Sequence, residues 1–467
     1  MRWAAAIPFA LLAQSALAQG SPQAPNLFWS TGPAGGYLGL NSYTLAPQSS
    51  NWVDGHNYMA CDGATDDTVG FQNAVNAAAN GSLFLPKGLC LISATVNITS
   101  QMILHGAGSG LGETTAATTL RWMGASSTTP MINVKGVSRL IAEDFLIQSR
   151  DTHPLGIGIQ STTISGLVST SNTYRRLFMN GTTNSLGKGF AFVTGSGGDN
   201  NNDQNFFESI SIENYTIAGW SFEHSQSQGH RLIACNFVGD GATSLYGVTT
   251  ALGAGTQGGS FVWFGGSGSL VTEADFYMGS PNSTILISNG IFESSSRLLE
   301  TPGNGSNWPI TIENVRFSSN TLNADGRAIL YGATGPLTLI GNAIGDDNTK
   351  PLEMRLTLGA GNPTAAIAIG NHIESSLANP FSGLPWSGIG NNVNPTPGSS
   401  PNTISNQPAV TIANLPSCTA ATVGQRANIS NGQTSPTWNG AVSTTGAVYA
   451  PVGCSQTGSS SYGWVYQ

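Results

Sequence analysis

A pattern of apolar, any, Asn, then an apolar residue two or three positions on recurs through the middle of the chain and limits what it can build. It reads Ile212-Glu213-Asn214 to Ile217, Ile287-Ser288-Asn289 to Phe292, Ile312-Glu313-Asn314 to Phe317, Ile340-Gly341-Asn342 to Ile344 and Ile369-Gly370-Asn371 to Ile373. Ala234-Cys235-Asn236 and Ala142-Glu143-Asp144 are looser copies. The asparagines step by 22 to 29 residues, with one gap of 53 that holds two coils. Short strands at that spacing, with no helical stretch of about 10 to 15 residues between them, cannot form a βαβ sheet. They can stack in parallel, each rung about 4.8 Å above the last, so that like residues form ladders. Asn suits such a ladder because its amide bonds both backbone and the next Asn, which makes these residues structural rather than ligand-binding. The expected fold is all-β, a right-handed parallel β-helix, since parallel crossovers are right-handed by default.

Only 9% of the 467 residues are charged, against about 25% in ordinary domains, and 60 are Gly, so few surface helices are expected. A net charge of −8 disfavours nucleic acid or an anionic membrane as partner, and a polar, weakly charged surface suits a polysaccharide better. Residues 1–18 read as a signal peptide: Arg2 is the basic start, the apolar run to Leu12 is too short to span a bilayer, and Ala16-Leu17-Ala18 is a cleavage site. A secreted protein without membrane insertion follows as the expectation. For an exported chain, five cysteines suggest local bridges Cys61 to Cys90 and Cys418 to Cys454, leaving Cys235 as a buried thiol.

Residues 19–60 are an irregular, Pro- and Gly-rich lead-in. From Cys61 the chain changes character, with oxygens for a helix start at Thr65-Asp66-Asp67 and an apolar face of Val69, Phe71, Val75 and Ala78. A strand at 82–85, a Pro-Lys-Gly turn and a second strand from Leu89 follow. The string D-G-x-T-D-D-T, a short amphipathic helix and L-F-L-P-x-G-x-x-x-I resembles the opening of the pectate-lyase-like β-helix superfamily. There the helix plugs the N-terminal end of the coil. That superfamily includes lyases, polygalacturonases, exo-glucanases, epimerases and phage tailspikes, so the resemblance implies a fold and a polysaccharide substrate, and no single reaction. In this pattern Asp62, Asp66 and Asp67 look like turn and cap residues. The β-helix is expected over 61–386, a Pro/Asn/Ser linker over 387–408 and a small disulfide-linked β module over 409–467, similar to C-terminal modules of tail fibres. Such a module binds a surface, drives trimerisation or protects the chain end, so a homotrimer is one expected assembly.

Glycoside hydrolysis needs two carboxylates at a set separation. Aligned on the asparagines, Asp240 and Glu293 occupy one register two rungs apart, roughly 10 Å. By the same arithmetic Glu208 and His230 are neighbours on adjacent rungs, where a carboxylate raises an imidazole's pKa and orients it as acid or base. Each pair also has a plain structural reading as solvated ladder residues. Glu223 and His224 lie on the connecting segment, and Arg297 either clamps a sugar carboxylate or neutralises Glu293. Trp263 and Trp308, with Trp220, Phe264 and Tyr277, are rings for stacking on sugars or for core packing. No cofactor is expected. The one metal candidate is calcium at the loop from Asp199 to Asp203, rich in oxygens but without the Gly and terminal Glu of an EF-hand. The adjacent Asp-Asp and later Arg-Ile-Lys of polygalacturonases are missing, and Gly229-His230 alone is a weak echo. Only four lysines are available to neutralise a uronate, which tilts the expected exported polysaccharide-degrading enzyme from lyase slightly towards hydrolase, with a non-catalytic glycan-binding adhesin or structural spike as the remaining alternative.

Overall fold

The structure is a computed structural model. It describes residues 52–394 apart from 111–116, 126–127, 196–200, 225, 251–258, 280–283, 302–307, 320, 324, 347–351, 357–365, 376–379, 383–385 and 390, and parts of 402–466. The signal peptide, most of the lead-in and Asp199 lie outside the described residues.

Each coil visits three sheets in turn, called sheets 1, 2 and 3, with 13, 14 and 11 strands. Pairing within them is parallel, except that Asn402–Ile404 closes sheet 2 by running antiparallel to Asn391–Asn394. This is the β-helix expected from the repeat, and it is longer than expected at both ends. Trp52–Asp54 already pairs with Ser82–Phe84 in sheet 1, while Ser387–Ile389 and Asn391–Asn394 add a coil where a linker was expected. A separate antiparallel sheet of Arg426–Gly432, Val448–Gln456 and Tyr462–Tyr466 forms the C-terminal module. Both expected disulfides are present, Cys61–Cys90 and Cys418–Cys454. Cys235 is free and buried, and burial pushes its thiol up to about 12, too high for a thiolate at neutral pH. Among the described residues no helix is long and apolar enough to cross a membrane.

In the first coil, helix α1 (Thr68–Ala77) stands where a sheet 3 strand would be. It buries Phe71, Ala74 and Val75, whereas Val69, assigned to the same face from the sequence, is 72% exposed. The Gln72 amide donates to Asn97 O and accepts from Asn97 N–H, satisfying the edge strand Val96–Ile98 that parallel pairing would leave open. Asp62 and Asp66 accept N–H groups of their own turns, and Asp67 braces the backbone N–H of Ala60 and Cys61, so all three are structural.

The corners explain where the asparagine pattern holds and where it misleads. Asn289 and Asn314 sit in the left-handed region between sheets 1 and 2, with φ of 57° and 51°. Gly341 and Gly370 take that conformation one position earlier, and Asn342, Asn371 and Asn391 then form a buried ladder, the Asn371 and Asn391 side-chain carbonyls accepting from the Asn342 and Asn371 amides at 2.9 and 2.8 Å. Asn214 has the same φ, 54°, but follows the sheet 2 strand Ser211–Glu213. Asn tolerates left-handed backbone wherever it occurs. An alignment on asparagines therefore mixes two different corners.

Inside, in-register stacks fill the coil: Tyr174, Phe207, Leu232 and Trp263 follow one another along sheet 1, all fully buried. On sheet 3 four successive strands carry a glycine at one register position. Gly247 is tightly restricted, since an added Cβ would lie 2.2 Å from the Phe237 ring. Gly158, Gly189, Gly219 and Gly247 precede the in-register residues Ile159, Phe190, Trp220 and Val248, and the next coil places Asp275 at that position, before Phe276. Asp275 is fully buried, and neither carboxylate oxygen has a hydrogen bond of normal geometry. Burial drives its pKa well above the usual range, opposed by the Ser295 hydroxyl. A raised folded pKa means that stability is full below the unfolded value of 3.8 and falls as pH rises through the folded one. Asp275→Asn keeps the shape without the ionisation. It is expected to match the parent in acid and to exceed it by about 1–3 kcal/mol near pH 8, read from urea midpoints; equal midpoints at all pH values would refute the assignment.

Candidate functional site

A ligand lies best on the sheet whose edges are walled. Sheets 1 and 2 meet at two-residue corners such as 209–210, 234–235, 265–266 and 289–290. Sheet 3 is entered through 239–245, 294–298 and 320–326 and left through 163–172, 194–205, 223–229 and 251–260. Its outer face thus has the longer connections at both edges, which is where a lateral ligand groove is expected. Along it Ala191, Ser221, Thr249, Tyr277 and Glu300 follow in register. The first three are completely covered by the surrounding protein, and Thr249 Oγ1 has no hydrogen-bond partner.

Two tyrosines stand on that sheet, Tyr246 and Tyr277, with ring centroids 4.6 Å apart and planes at 35°. Both are half-buried. Burial first, then Tyr277, Glu273 and Glu300, push the Tyr246 hydroxyl up to about 12, and burial with the same two glutamates raises Tyr277. Glu300 is in register next to Tyr277, and the Glu273 N–H bonds Leu245 O beside Tyr246, so both glutamates belong to the surroundings of this pair. Glu300 is held by Arg297, whose Nε donates to Oε2 at 2.8 Å while its other nitrogens fork onto Asp325 at 3.0 Å. Burial raises Asp325, but Arg297 and Arg327 outweigh it and keep that carboxyl low. Arg327 in turn reaches Glu353 at 3.3 Å, and towards the N-terminal coils Lys188 and the Ser221 hydroxyl both bond Glu223.

Of the residues expected from the sequence, Arg297 and Glu223 belong to this face. Arg297 neutralises Glu300 and Asp325 rather than Glu293. Asp240 and Glu293 are not in one register: Glu293 is in line with Ser269 and Val238, two residues before Asp240. Asp240 is a turn residue. Burial would raise it, yet the N–H groups of Thr243, Ala242 and Ser244 hold its carboxyl far below the usual range. Glu293 is exposed on sheet 2, with Arg316 at 3.8 Å. Glu208 and His230 do not pair either, because Glu208 is in line with Arg175 and Ile233 on sheet 1. His230 instead extends a second ladder, Asn172 to Asn205 to His230: its Nδ1 accepts from Asn205 N–H at 3.2 Å and its Nε2 lies 2.7 Å from Ser227 Oγ. Burial lowers it to about 3, so it is a neutral core residue. His224 is likewise buried, its Nδ1 accepting from Gln226 N–H at 2.9 Å. Trp263 packs fully inside, and Trp308 is 50% exposed.

Tyr246, Glu273, Glu300 and Asp325 were missed. The signal for them was the repeated glycine-apolar pair, Gly189-Phe190, Gly219-Trp220 and Gly247-Val248, which sets the sheet 3 register that the asparagines do not. Elsewhere, His105, Glu143 and Asp144 cluster on sheet 1 with Arg175 and Arg176. Burial raises Glu143, but Arg175 and His105 outweigh it, so this is an ion-pair network between rungs. Of the calcium candidate, Asp203 is half-buried with a carboxyl raised by burial.

No protein-family model matches the chain, and no curated protein does. Among solved structures it is similar to the tailspike gp49 of Acinetobacter baumannii bacteriophage Fri1, a capsular polysaccharide depolymerase, at 13% identity and a TM-score of 0.48 over 89% of this chain and 79% of that one. The tailspike gp42 of Acinetobacter phage vb_AbaP_AS12 matches at 14% identity and 0.46, over 89% and 81%. The catalytic unit of a GH87 alpha-1,3-glucanase from Streptomyces thermodiastaticus matches at 13% and 0.46, over 73% and 69%. At such identities and scores no reaction or substrate is carried over from them.

Proposed function

We propose that the protein degrades a polysaccharide by hydrolysis in the groove on sheet 3. Glu273 and Glu300 act as the carboxylate pair, Tyr246 and Tyr277 as the sugar platform, and Arg297 positions Glu300. The observation that carries this reading is the placement of two glutamates beside one tyrosine pair, Glu300 in register with Tyr277 and Glu273 N–H bonded to Leu245 O next to Tyr246, on the sheet with the longer connections at both edges. Paired rings offer flat apolar area to a pyranose while their hydroxyls stay available for its oxygens. Hydrolysis asks for one carboxyl to protonate the leaving oxygen and one carboxylate on the other side of the bond. Export belongs to the same reading and is supported by the two disulfides. Assembly as a homotrimer does too, and sedimentation of the purified protein measures it.

Digestion of a glycan panel tests the reading. Reducing ends are expected without ultraviolet-absorbing unsaturated products, and Glu300→Gln or Glu273→Gln is expected to lower the rate by about 10² or more with unchanged far-ultraviolet circular dichroism. Unsaturated products would replace hydrolysis by β-elimination, and full activity in both variants would remove these residues from the chemistry. A second reading, glycan binding without cleavage, is favoured by the tie of Glu300 to Arg297. It predicts retention on a glycan with no shortening of it.

A further inference from the structure

Resting on the reading of sheet 3 as the glycan groove, we propose that its substrate is an uncharged polysaccharide. Every cation described on the face between Lys188 and Glu353 is already bonded to acids. Lys188 is bonded to Glu223, Arg297 to Glu300 and Asp325, and Arg327 to Asp325 and Glu353. Glu273 adds a further negative charge beside the tyrosines. The face therefore carries an excess of carboxylates. Arg297 cannot turn to a ligand without losing Asp325, for its fork is spent and its side chain is only 8% exposed.

A uronate arriving here would bring a carboxylate against like charges, with no unengaged cation among the described side chains between Lys188 and Glu353 to meet it, and would lose hydration without compensation. β-Elimination needs the uronate carboxylate neutralised before its α-proton can leave, and the described side chains between Lys188 and Glu353 supply no unengaged cation for that step. A neutral chain meets none of these costs. Its hydroxyls can use the acceptor oxygens that Glu273 and Glu300 present.

The test is affinity electrophoresis and digestion with neutral glucans, mannans and galactans, each beside its own C6-oxidised polyuronate form. Retardation or cleavage is expected with at least one neutral polymer, and oxidation of that polymer is expected to weaken it by at least about tenfold. Asp325→Asn, which releases one arm of the Arg297 fork, is expected to narrow that gap. An oxidised polymer held or cut as well as its parent would overturn the substrate class while leaving the site in place. No retardation or cleavage of any polymer would overturn the reading of the groove, and this inference with it.

Discussion

Trp263→Ala is expected to cost about 3–5 kcal/mol of stability, because it removes the largest side chain of the coil's central stack. Trp263 is completely buried and makes edge contacts with Trp220, Phe237 and Phe276 at 5.6–5.7 Å between ring centroids. The sequence places the same residue beside the candidate carboxylates, where a ring could equally serve a sugar. The two roles separate cleanly in a pair of variants. Trp263→Ala should lower the urea midpoint strongly, while Trp308→Ala, at a half-exposed position, should change stability by less than about 1 kcal/mol. Trp263→Phe keeps an aromatic partner and removes an indole N–H that has no acceptor, so its cost is expected to be well under half that of alanine. A Trp263→Ala protein that melts like the parent but no longer binds glycan would put the ring in the groove instead.

The architecture was legible because a β-helix writes its period into the chain. Apolar alternation, the 22–29-residue step and the missing helical stretches left parallel coils as the one economical arrangement. The disulfides were legible for a similar reason, since each joins cysteines that are close in sequence, 29 and 36 residues apart. Neighbour relations across the coils were not. They require a register, and the register was taken from asparagines that serve two corners, so Asp240 was set level with Glu293 although it lies two positions out of line.

A shift of two residues keeps a side chain on the same face of its sheet, and a shift of one moves it to the other. Asp240 failed for a different reason: its carboxylate is consumed by the N–H groups of its own turn. Sequence patterns record which residue types a turn tolerates, and an Asp that closes a turn looks the same as an Asp that meets a substrate. The sheet 3 cluster was hidden because its members come from four coils and share no local motif: Tyr246, Glu273 with Tyr277, Arg297 with Glu300, and Asp325. The in-register glycines Gly158, Gly189, Gly219 and Gly247 carry the register there, since the backbone of one coil and rings such as Phe237 leave no room for a Cβ.

His230 gives the fold an acid limit. Its folded pKa, about 3, lies below the unfolded value of 6.5, so below pH 6.5 the unfolded chain takes up a proton that the folded chain refuses. Stability is then full above 6.5 and is lost as pH falls, by about 1.4 kcal/mol per unit. Down to 4.5, the ordinary Glu value, the loss should reach about 3 kcal/mol. The carboxylates held low, Glu143 and Asp240, add their own losses only at still lower pH. Asp275 acts with the opposite sign, becoming less costly as pH falls, and partly masks the slope. The clean measurement is therefore made in an Asp275→Asn background, with urea midpoints taken at intervals through that window. His230→Asn continues the Asn172 and Asn205 ladder with a group that does not titrate, and it is expected to flatten the profile whatever its effect at neutral pH. An acid slope undiminished by His230→Asn would mean that the imidazole takes up its proton inside the folded coil, which its stacking against Phe222 at 4.4 Å and its complete burial oppose.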